Sequence, residues 1–389
     1  MRTMVALLLL AACGEVKGDM PVDGSTTDMS EDSEGPIDAA PAACNNGQRE
    51  AGETCYGTPI SFDGGDFAYD AQLVDIDGDG DLDLVFADQT QLLYFVQQSG
   101  TFATSPSMGP LITSARFRAA NIGGDARLEL ISGDSGGIST WQTSGTSSAY
   151  SSTSAPTEGV FKPAGIEIAK ITNGATPEVV SVYNDKIYIG TYNASMVLTN
   201  ASNRSVTKIS GFAVGALDAD SFADVAVIAA AGVVVFRGTA TGLDPLIDTS
   251  YDTVANDIAI GDIDGDGVAD LVVADAGTSG SISWMRGLGD ATFAAAQTKA
   301  ITNLGSSIAV ADIDGDGNAD VIAGRTRASL AVLVLHGNAD GTLSDPVELP
   351  YPYARLDQIS VADYNGDGVV DIVASMPTTG EIALYPSTP

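Results

Sequence analysis

The sequence predicts an all-β fold built from seven similar units, and three observations carry this prediction. A nine-residue, Asp-rich motif recurs seven times along the 389-residue chain, at intervals of 46 to 51 residues. Each copy lies between short runs of small and β-branched apolar residues, which favour strands, and the 44 Gly residues favour tight turns. No unit has apolar residues at a sustained 3.6-residue period, so a helical repeat is not expected.

The motif sets the order of the units. Its copies start at residues 75, 121, 170, 216, 262, 312 and 363. Four copies are complete, with Asp or Asn at positions 1, 3 and 5, Gly at positions 4 and 6, and Asp at position 9: residues 75–83, 262–270, 312–320 and 363–371. The copies at 121, 170 and 216 have lost some of these residues.

The unit around the motif at 262 illustrates the expected strands. A small-residue strand at 257–261 precedes the motif, a β-branched strand follows at 271–274, and a third strand at 281–285 leads through a Gly-rich turn to a more polar fourth strand. Four short antiparallel strands in a unit of this length are typical of a propeller blade. Residues 58–389 are therefore predicted to form a seven-bladed β-propeller with four-stranded antiparallel blades.

The two ends of this region predict how the ring closes. The last unit stops after its third strand, at 381–385, while an apolar segment at 58–62 precedes the first unit and belongs to none. We expect this N-terminal segment to supply the outer strand of the seventh blade, because closure removes exposed strand edges.

The first 43 residues carry targeting and tether signals rather than a fold. Residues 1–12 have the pattern of a signal peptide that is too short to span a bilayer, and they lead into Leu-Ala-Ala-Cys, as in a bacterial lipobox. Cys13 is therefore expected to be lipidated; the alternative is an ordinary signal peptide with an incidental Cys. Residues 13–43 are acidic and poor in apolar side chains, which predicts a disordered tether. We expect an exported protein held at the outer membrane or cell surface by lipid alone.

Cys44 and Cys55 form a closely spaced pair, which in an exported chain predicts a disulfide. Residues 44–57 resemble the short cysteine-rich repeat found beside adhesive domains in bacterial surface proteins, with the pattern C-x-N-G-x-x-E-x-G-E-x-C. We expect a stapled turn rather than an independent domain.

The four complete motifs have the chemistry of Ca²⁺ loops. Ca²⁺ prefers six to eight oxygen ligands at about 2.3–2.6 Å. Side chains at positions 1, 3 and 5, the carbonyl at position 7 and the carboxylate at position 9 supply such a set, and Gly at positions 4 and 6 permits left-handed backbone. The predicted ligands are Asp75, Asp77, Asp79, Asp81 and Asp83; Asp262, Asp264, Asp266, Val268 and Asp270; Asp312, Asp314, Asp316, Asn318 and Asp320; and Asp363, Asn365, Asp367, Val369 and Asp371. The loop at 216 keeps Asp218, Asp220 and Asp224 and is a candidate for a weak fifth site.

An EF-hand and a solvated turn would also give Asp-rich loops, and both are less favoured. An EF-hand needs Glu at position 12 and flanking helices, but position 12 of the first loop is Phe86. Solvated Asp-Gly turns are ordinary in hairpins, yet the same five-position pattern in four loops favours metal binding.

These features together resemble the FG-GAP and VCBS repeat families, whose best-known example is the propeller head of integrin α chains. The resemblance covers residues 58–389. A second shared feature is a Gly-Thr-Phe-like turn between the third and fourth strands, at 99–102, 241–243, 289–293 and 340–343. The resemblance implies that the Asp loops join the first two strands of each blade, lie on one face of the disc and bind Ca²⁺.

Charge and residue types narrow the function. With 17 Lys and Arg against 51 Asp and Glu, the chain lacks the basic clusters that nucleic-acid binding needs. His336 is the only His and adjoins a Gly turn, so it is expected on the surface, and no Ser/His/Asp triad is expected. An enzyme is therefore not favoured.

The function that the sequence favours is a monomeric binding or adhesion module at the cell surface, with a protein or glycan ligand. Two alternatives stay open: a Ca²⁺-dependent polysaccharide lyase or hydrolase, and a scaffold within a surface complex. Aromatic and basic residues in the connections opposite the Asp loops either bind the ligand or wedge between blades. They are Phe67, Tyr69, Arg116, Phe161, Lys162, Tyr251, Tyr353 and Arg355. Trp141 and Trp284 are expected to pack between strands.

Overall fold

The computed structural model describes Gly52 and residues 54–388, apart from several short stretches. Those stretches are 66–67, 89–90, 105–108, 111–115, 124–127, 135–136, 143–150, 156–164, 184, 194, 196–197, 245–246, 252–254, 326–330, 351–355, 357 and 377–379. The expected signal peptide, Cys13, the tether and Cys44 lie outside the described residues, so lipidation, disorder and the Cys44–Cys55 disulfide stay predictions.

All secondary-structure elements among the described residues are β-strands. In this part of the chain no helix is long and apolar enough to cross a membrane. A strand before the first unit is β1 (Ile60–Asp63). The first unit contains β2 (Asp70–Val74), β3 (Asp83–Ala87), β4 (Gln91–Gln98), β5 (Thr101–Thr104) and β6 (Gly109–Pro110). The second contains β7 (Phe117–Ala120), β8 (Glu129–Asp134), β9 (Gly137–Gln142) and β10 (Ser151–Ala155).

The third unit contains β11 (Gly165–Ala169), β12 (Glu178–Tyr183), β13 (Lys186–Tyr192) and β14 (Leu198–Ser205). The fourth contains β15 (Gly211–Gly215), β16 (Asp224–Ala229), β17 (Gly232–Phe236), β18 (Gly238–Thr239), β19 (Gly242–Leu243) and β20 (Ile247–Tyr251). The remaining strands are β21 (Asp257–Gly261), β22 (Asp270–Asp275), β23 (Gly277–Met285), β24 (Gln297–Ala311), β25 (Asp320–Arg325), β26 (Ala331–Leu335), β27 (Val347–Pro350), β28 (Gln358–Ala362), β29 (Asp371–Ser375) and β30 (Glu381–Tyr385).

Each unit is an antiparallel meander, and the Asp-rich motif joins its first two strands. The sheet orders are β2-β3-β4-β5, β7-β8-β9-β10, β11-β12-β13-β14 and β15-β16-β17-β20, and the last unit has the order β28-β29-β30-β1. Position 9 of the motif opens the second strand of every unit, as Asp83 does in β3 and Asp270 in β22. The predicted position of the motif within the unit is thus confirmed.

The fifth and sixth units share one long strand. β24 pairs with β23 through residues up to Leu304 and with β25 from Ile308 onward, with a register shift between these two residues. The outer strand of one unit therefore continues into the first strand of the next, and the two units form one seven-stranded sheet rather than two separate four-stranded sheets. Gly305 lies at this register shift. A Cβ atom at this position would lie 2.8 Å from the Gly324 carbonyl oxygen, so the strand needs Gly here.

The strand before the first unit completes the sheet of the last unit. β1 pairs antiparallel with β30, with Ile60 opposite Leu384 and Phe62 opposite Ile382. The apolar segment that the sequence leaves without a unit is therefore the partner of the last strand, as predicted. Alternation places Phe62 in the interior and Ile60 on the surface, as expected for one outer strand with a solvated face.

Apolar side chains form clusters between consecutive units. Val272 of the fifth unit and Leu333 of the sixth belong to one such cluster. Phe86 of the first unit and Ile382 of the last belong to another, so the first and last units share a core. Because each sheet is buried on both faces, its central strands are continuous apolar runs such as Val225–Ile228 rather than alternating ones.

Candidate metal centre

A buried carboxylate at position 9 closes the base of each complete loop. Asp270 is fully buried, and its Oδ2 accepts a hydrogen bond from the Ile263 amide at 2.9 Å, while its Oδ1 accepts one from the Gly287 amide at 2.7 Å. The first bond spans the motif, and the second joins the motif to the end of the third strand. Equivalent pairs of amides bind Asp83, Asp224, Asp320 and Asp371.

The incomplete loops at 121 and 170 keep the first of these two bonds with a longer side chain. Glu129 Oε2 accepts a hydrogen bond from the Ile122 amide at 2.9 Å, and Glu178 Oε2 accepts one from the Ile171 amide at 2.9 Å. Both Glu side chains are buried. Position 9 therefore stabilises the turn in all seven units. This role was not predicted, although an acid at position 9 in every copy, including those without a metal pattern, signals it.

The turn itself depends on position 1 and on the two Gly residues. Asp75 accepts hydrogen bonds from the amides of Gly78 at 2.7 Å and Gly80 at 3.1 Å. Both Gly residues have positive φ, 81° and 99°, a conformation that costs a non-Gly residue about 1–2 kcal/mol. The loops at 262, 312 and 363 have positive φ at the same two positions, which confirms the prediction for Gly.

Three of the complete loops bring carboxylate oxygens together at a distance suited to one ion. Oxygens of Asp75, Asp77 and Asp83 lie within 4.8 Å of one another. Two ligands on opposite sides of one Ca²⁺ are about 5 Å apart, so this spacing fits the ion. The other groups are Asp262, Asp264 and Asp270, and Asp312, Asp314 and Asp316.

The fourth complete loop has an amide at position 3. Asn365 Oδ1 accepts a hydrogen bond from the Asp367 amide at 2.9 Å, and Asn365 Nδ2 donates to Asp367 Oδ2 at 2.8 Å. Ser387 also donates to Asp367 Oδ2, at 3.0 Å. This loop therefore satisfies part of its acidic charge with its own polar groups.

The crowded carboxylates repel one another, and a cation bound between them would reduce this repulsion. Burial raises the pKa of Asp77, and repulsion from Asp79 and Asp75 raises it further. Burial also raises the pKa of Asp264, with a further contribution from Asp266. Burial raises the pKa of the position-9 residues Asp83, Asp224, Asp270 and Asp371 to about 6. A divalent cation among these oxygens would favour their ionised forms.

Family models match the same part of the chain. An FG-GAP-like repeat model matches residues 75–132 and 262–323, and an FG-GAP repeat model matches residues 304–344. The protein contains FG-GAP repeats. The matched ranges include three complete loops and the incomplete loop at 121, so the FG-GAP pattern extends beyond the copies with a full acidic set.

Two solved structures are similar to the FG-GAP protein in fold. One is an Agrocybe aegerita lectin that recognises non-reducing terminal N-acetylglucosamine, with 18% identity, a TM-score of 0.53, and coverage of 74% of this chain and 81% of the lectin. The other is BBS1N in complex with ARL6DN, with 13% identity, a TM-score of 0.58, and coverage of 86% and 97%. A search of curated proteins found no match.

His336 is buried against the FG-GAP loop at 312, and the prediction of a surface position was wrong. The residue is only 5% exposed, and its Nδ1 lies 3.3 Å from both Asp314 Oδ2 and Asp320 Oδ1. Its Nε2 lies 2.6 Å from Thr54 Oγ1. Burial lowers the pKa of His336, but the two Asp side chains outweigh burial and raise it to about 9. The prediction rested on the neighbouring Gly turn. It did not include Thr54, which contacts His336 from a segment that is distant in sequence.

The pKa values of the two carboxyl groups beside His336 are shifted in opposite directions. Burial outweighs the imidazole at Asp320 and raises its pKa. At Asp314, burial also acts to raise the pKa, but His336 and the Gly52 amide together lower it below its ordinary value. The Gly52 amide donates to Asp314 Oδ2, so the N-terminal segment contacts the loop through backbone as well as through Thr54.

In each complete loop, the second amide that donates to the position-9 carboxylate belongs to a residue at the end of the third strand. The residue immediately before that donor differs among the loops. It is His336 in the loop at 312 and Arg286 in the loop at 262, where Nη1 lies 3.3 Å from Asp266 Oδ2 and 3.9 Å from Asp264 Oδ2. It is Val96 in the loop at 75 and Pro386 in the loop at 363. At this position, therefore, a cationic or nitrogen group stands in the loops at 262 and 312, and an apolar residue stands in the loops at 75 and 363.

A belt of polar side chains links the first strands of consecutive units. Asp70 Oδ2 accepts a hydrogen bond from the Phe117 amide at 3.1 Å, and Asp257 Oδ2 accepts one from the Ile308 amide at 3.0 Å. Arg118 forms a two-pronged ion pair with Glu167, with bonds of 2.9 and 2.6 Å. This belt was not predicted, because such links depend on which strands become neighbours.

The expected ligand face stays a prediction, because the structure describes only some of its residues. Phe67, Phe161, Lys162, Tyr353 and Arg355 lie outside the described residues. Tyr251 is in strand β20, opposite Val233, and is buried in a cluster shared by the fourth and fifth units, so it is not in a surface connection but packs between units, as the alternative expectation has it. Positive charge on Arg116 acts on Asp70 and Asp257 of the polar belt. Trp284 is buried and donates to the Gly341 carbonyl at 2.8 Å, as its predicted packing role requires.

Proposed function

We propose that the protein is an exported, lipid-anchored, closed seven-bladed β-propeller that binds Ca²⁺ in its complete FG-GAP loops and a glycan on its surface. The observation that carries the metal part is the convergence of loop carboxylates within 4.8 Å of one another in three complete loops. The lipid anchor rests on the lipobox pattern at Cys13.

Contacts between the first and last units support ring closure. Ser360 Oγ, on the first strand of the last unit, donates to the Ala71 carbonyl in β2 at 2.7 Å. Ser307 Oγ accepts a hydrogen bond from the Ile359 amide at 3.1 Å, which links the sixth unit to the seventh. With the pairing of β1 and β30 and the shared core at Phe86, these contacts favour a ring without free edges.

Calcium would be held by the side chains at positions 1, 3 and 5, the carbonyl at position 7 and the carboxylate at position 9. Its charge would offset the repulsion between the acidic side chains of a loop. The protein's own groups prepare the site: the Gly amides orient position 1, and the backbone amides hold position 9. A loop ordered in this way loses little conformational entropy on binding the ion.

Glycan binding is favoured over catalysis for the remaining surface. The Agrocybe aegerita lectin, which shares the fold, recognises terminal N-acetylglucosamine. His336 is buried against two carboxylates and Thr54, so its ring is not exposed to a substrate. BBS1N is in complex with a protein partner, so a protein ligand is the other outcome that the binding experiment distinguishes.

Calcium stoichiometry tests the metal part. Equilibrium dialysis of the purified protein should give four equivalents of bound Ca²⁺, and Asp75→Asn should remove one. Asp290→Asn, an exposed acidic position outside the motif, is the matched control and should leave four. A protein that binds no Ca²⁺ at millimolar concentration would contradict the proposal.

A glycan array probed with and without chelator tests the ligand. We expect binding to a defined set of terminal sugars, retained by the Asp290→Asn control. A blank glycan array together with saturable binding to one surface protein would replace the glycan proposal by a protein ligand.

A further inference from the structure

We propose that the loop at 312 forms, with His336, a nitrogen–oxygen site that binds a first-row transition-metal ion, such as Zn²⁺ or Co²⁺, in preference to Ca²⁺. The proposal deepens the proposed function, since it rests on metal binding by this loop. The three ligand atoms come from Asp314, Asp320 and His336, all buried, and lie within 4.8 Å of one another.

The position of Nδ1 is the observation that points to a ligand. His336 is 5% exposed, and its Nδ1 is aimed at two carboxylates without a hydrogen bond of standard geometry to either. The distances of 3.3 Å to Asp314 Oδ2 and Asp320 Oδ1 lie in the range of an ion pair. Two ligands of a tetrahedral Zn²⁺, at about 2.0–2.1 Å from the ion, are about 3.4 Å apart. Nδ1 thus already has the spacing of a metal ligand from each oxygen.

Thr54 orients the imidazole for this role. Its Oγ1 lies 2.6 Å from Nε2 and can accept the Nε2 proton, which leaves Nδ1 facing the carboxylates, where it binds either a proton or a metal ion. In this arrangement a cation between Nδ1 and the two negative oxygens is favourable. Metal-binding His residues commonly donate their second ring N–H to a fixed acceptor in this way. The Gly52 amide, from the same segment, holds Asp314.

The ligand types set the selectivity. Ca²⁺ prefers oxygen alone, whereas imidazole suits Zn²⁺, Co²⁺ and Ni²⁺. The corresponding residues in the other complete loops are Val96, Arg286 and Pro386, none of which can supply a neutral nitrogen ligand. The preference for a transition metal is therefore specific to this loop, and the other loops serve as internal controls.

A proton is the competing cation. A protonated His336 would bridge the two carboxylates as an imidazolium ion and would leave no ligand atom for a metal. Because His336 is the only His in the chain, its ring nitrogens give one unambiguous pair of signals in ¹⁵N NMR. That measurement separates a metal-bound, a doubly protonated and a neutral ring without any substitution.

The test is a Co²⁺ titration of the chelator-stripped, full-length protein, purified without a His tag. We expect one equivalent to give visible d–d absorption, Zn²⁺ to abolish it, and millimolar Ca²⁺ to leave it. His336→Gln should remove the signal, and Thr54→Ala should weaken Co²⁺ binding about 10- to 100-fold. Asp75→Asn, in an all-oxygen loop, should lower the Ca²⁺ count and leave the Co²⁺ signal unchanged.

The outcomes separate the two proposals. If Co²⁺ gives no signal and ¹⁵N NMR finds a doubly protonated ring at neutral pH with Zn²⁺ present, the transition-metal site is refuted, while four equivalents of Ca²⁺ would still support the proposed function. If Co²⁺ binds through His336 but no loop binds Ca²⁺, the transition-metal site is supported and the Ca²⁺ part of the proposed function is refuted. The NMR measurement keeps the test decisive even if His336→Gln fails to fold.

Discussion

Asp257 of the fifth unit accepts a hydrogen bond from the Ile308 amide of the sixth at 3.0 Å, so a single carboxylate joins the first strands of two neighbouring units. Burial raises the pKa of Asp257 to about 6, although Arg116 acts in the opposite direction. The carboxylate is therefore held in a place where its charge is costly.

The pH dependence of stability follows from this shift. Between about pH 4 and pH 6 the folded protein binds a proton at Asp257 that the unfolded chain has released. The contribution of Asp257 to the free energy of unfolding therefore falls as pH rises through this window. Asp257→Asn keeps an oxygen for the Ile308 amide and removes the charge. We expect the variant to be more stable than wild type at pH 7 by about 1–2 kcal/mol and equal to it near pH 4.

Urea unfolding at pH 4, 5, 6 and 7 in chelator checks this prediction. Asp345→Asn, at a fully exposed side chain, is the control and should leave the profile of the wild type. A variant that is destabilised equally at every pH would mean that the charge of Asp257 is not a cost to the fold.

The carboxylate at position 9 should stabilise the fold without any metal. Asp224 accepts hydrogen bonds from the buried amides of Leu217 and Gly238, in a loop that has Ala at position 1. Asp224→Ala should cost about 1–3 kcal/mol for each amide left without an acceptor. Urea unfolding with excess chelator measures the loss, and Asp220→Ala, at an exposed position, should cost little. Equal stability of the two variants would show that position 9 matters only through metal.

Calcium should stabilise the protein more at pH 7.5 than at pH 5. The pKa values of Asp83, Asp270 and Asp371 are about 6, so at pH 5 each must release a proton before it can bind the ion. At 100 times the dissociation constant, each occupied loop adds about 2.7 kcal/mol to the free energy of unfolding. Thermal melts with Ca²⁺ and with chelator at both pH values measure the difference. A melting shift that is the same at both would speak against these carboxylates as ligands.

The N-terminal strand should be essential to the stability of the last unit. Phe62 is buried, with its ring 5.1 Å from Phe95 and 5.0 Å from Phe102. Phe62→Ala should cost about 3–5 kcal/mol, whereas Ile60→Ala, on the exposed side of the same strand, should cost much less. Deletion of residues 58–63 should abolish cooperative unfolding. Denaturant titration of the three variants gives the comparison, and an unaltered midpoint for the deletion would exclude a structural role for β1.

Local patterns in the sequence were sufficient for the units, the motif and the N-terminal strand. Asp and Gly at fixed spacing specify a turn through bonds within nine residues, as between Asp75 and Gly78, so the motif contains its own geometry. The complete loops and the Gly conformations followed from this. The pairing of residues near 60 with the last strand was predicted instead from strand counting, because the last unit lacked a fourth strand.

Contacts between distant segments could not be predicted in the same way. His336 contacts Thr54, which is distant in sequence, and nothing near residue 336 encodes that contact. Tyr251 is aromatic and follows a polar stretch, which suits a surface connection as well as an outer strand, and only the pairing with Val233 decides between them. The shared strand β24 depends likewise on how two units meet at Gly305.

The pairing of Ile60 with Leu384 has a consequence for biosynthesis. The strand that the ribosome makes first acquires its neighbour only when almost all of the chain has followed, so folding of the last unit cannot finish during translation. A nascent chain therefore keeps an unpaired apolar segment until residues 381–385 have been made, which delays completion of the last sheet until almost all of the chain is available.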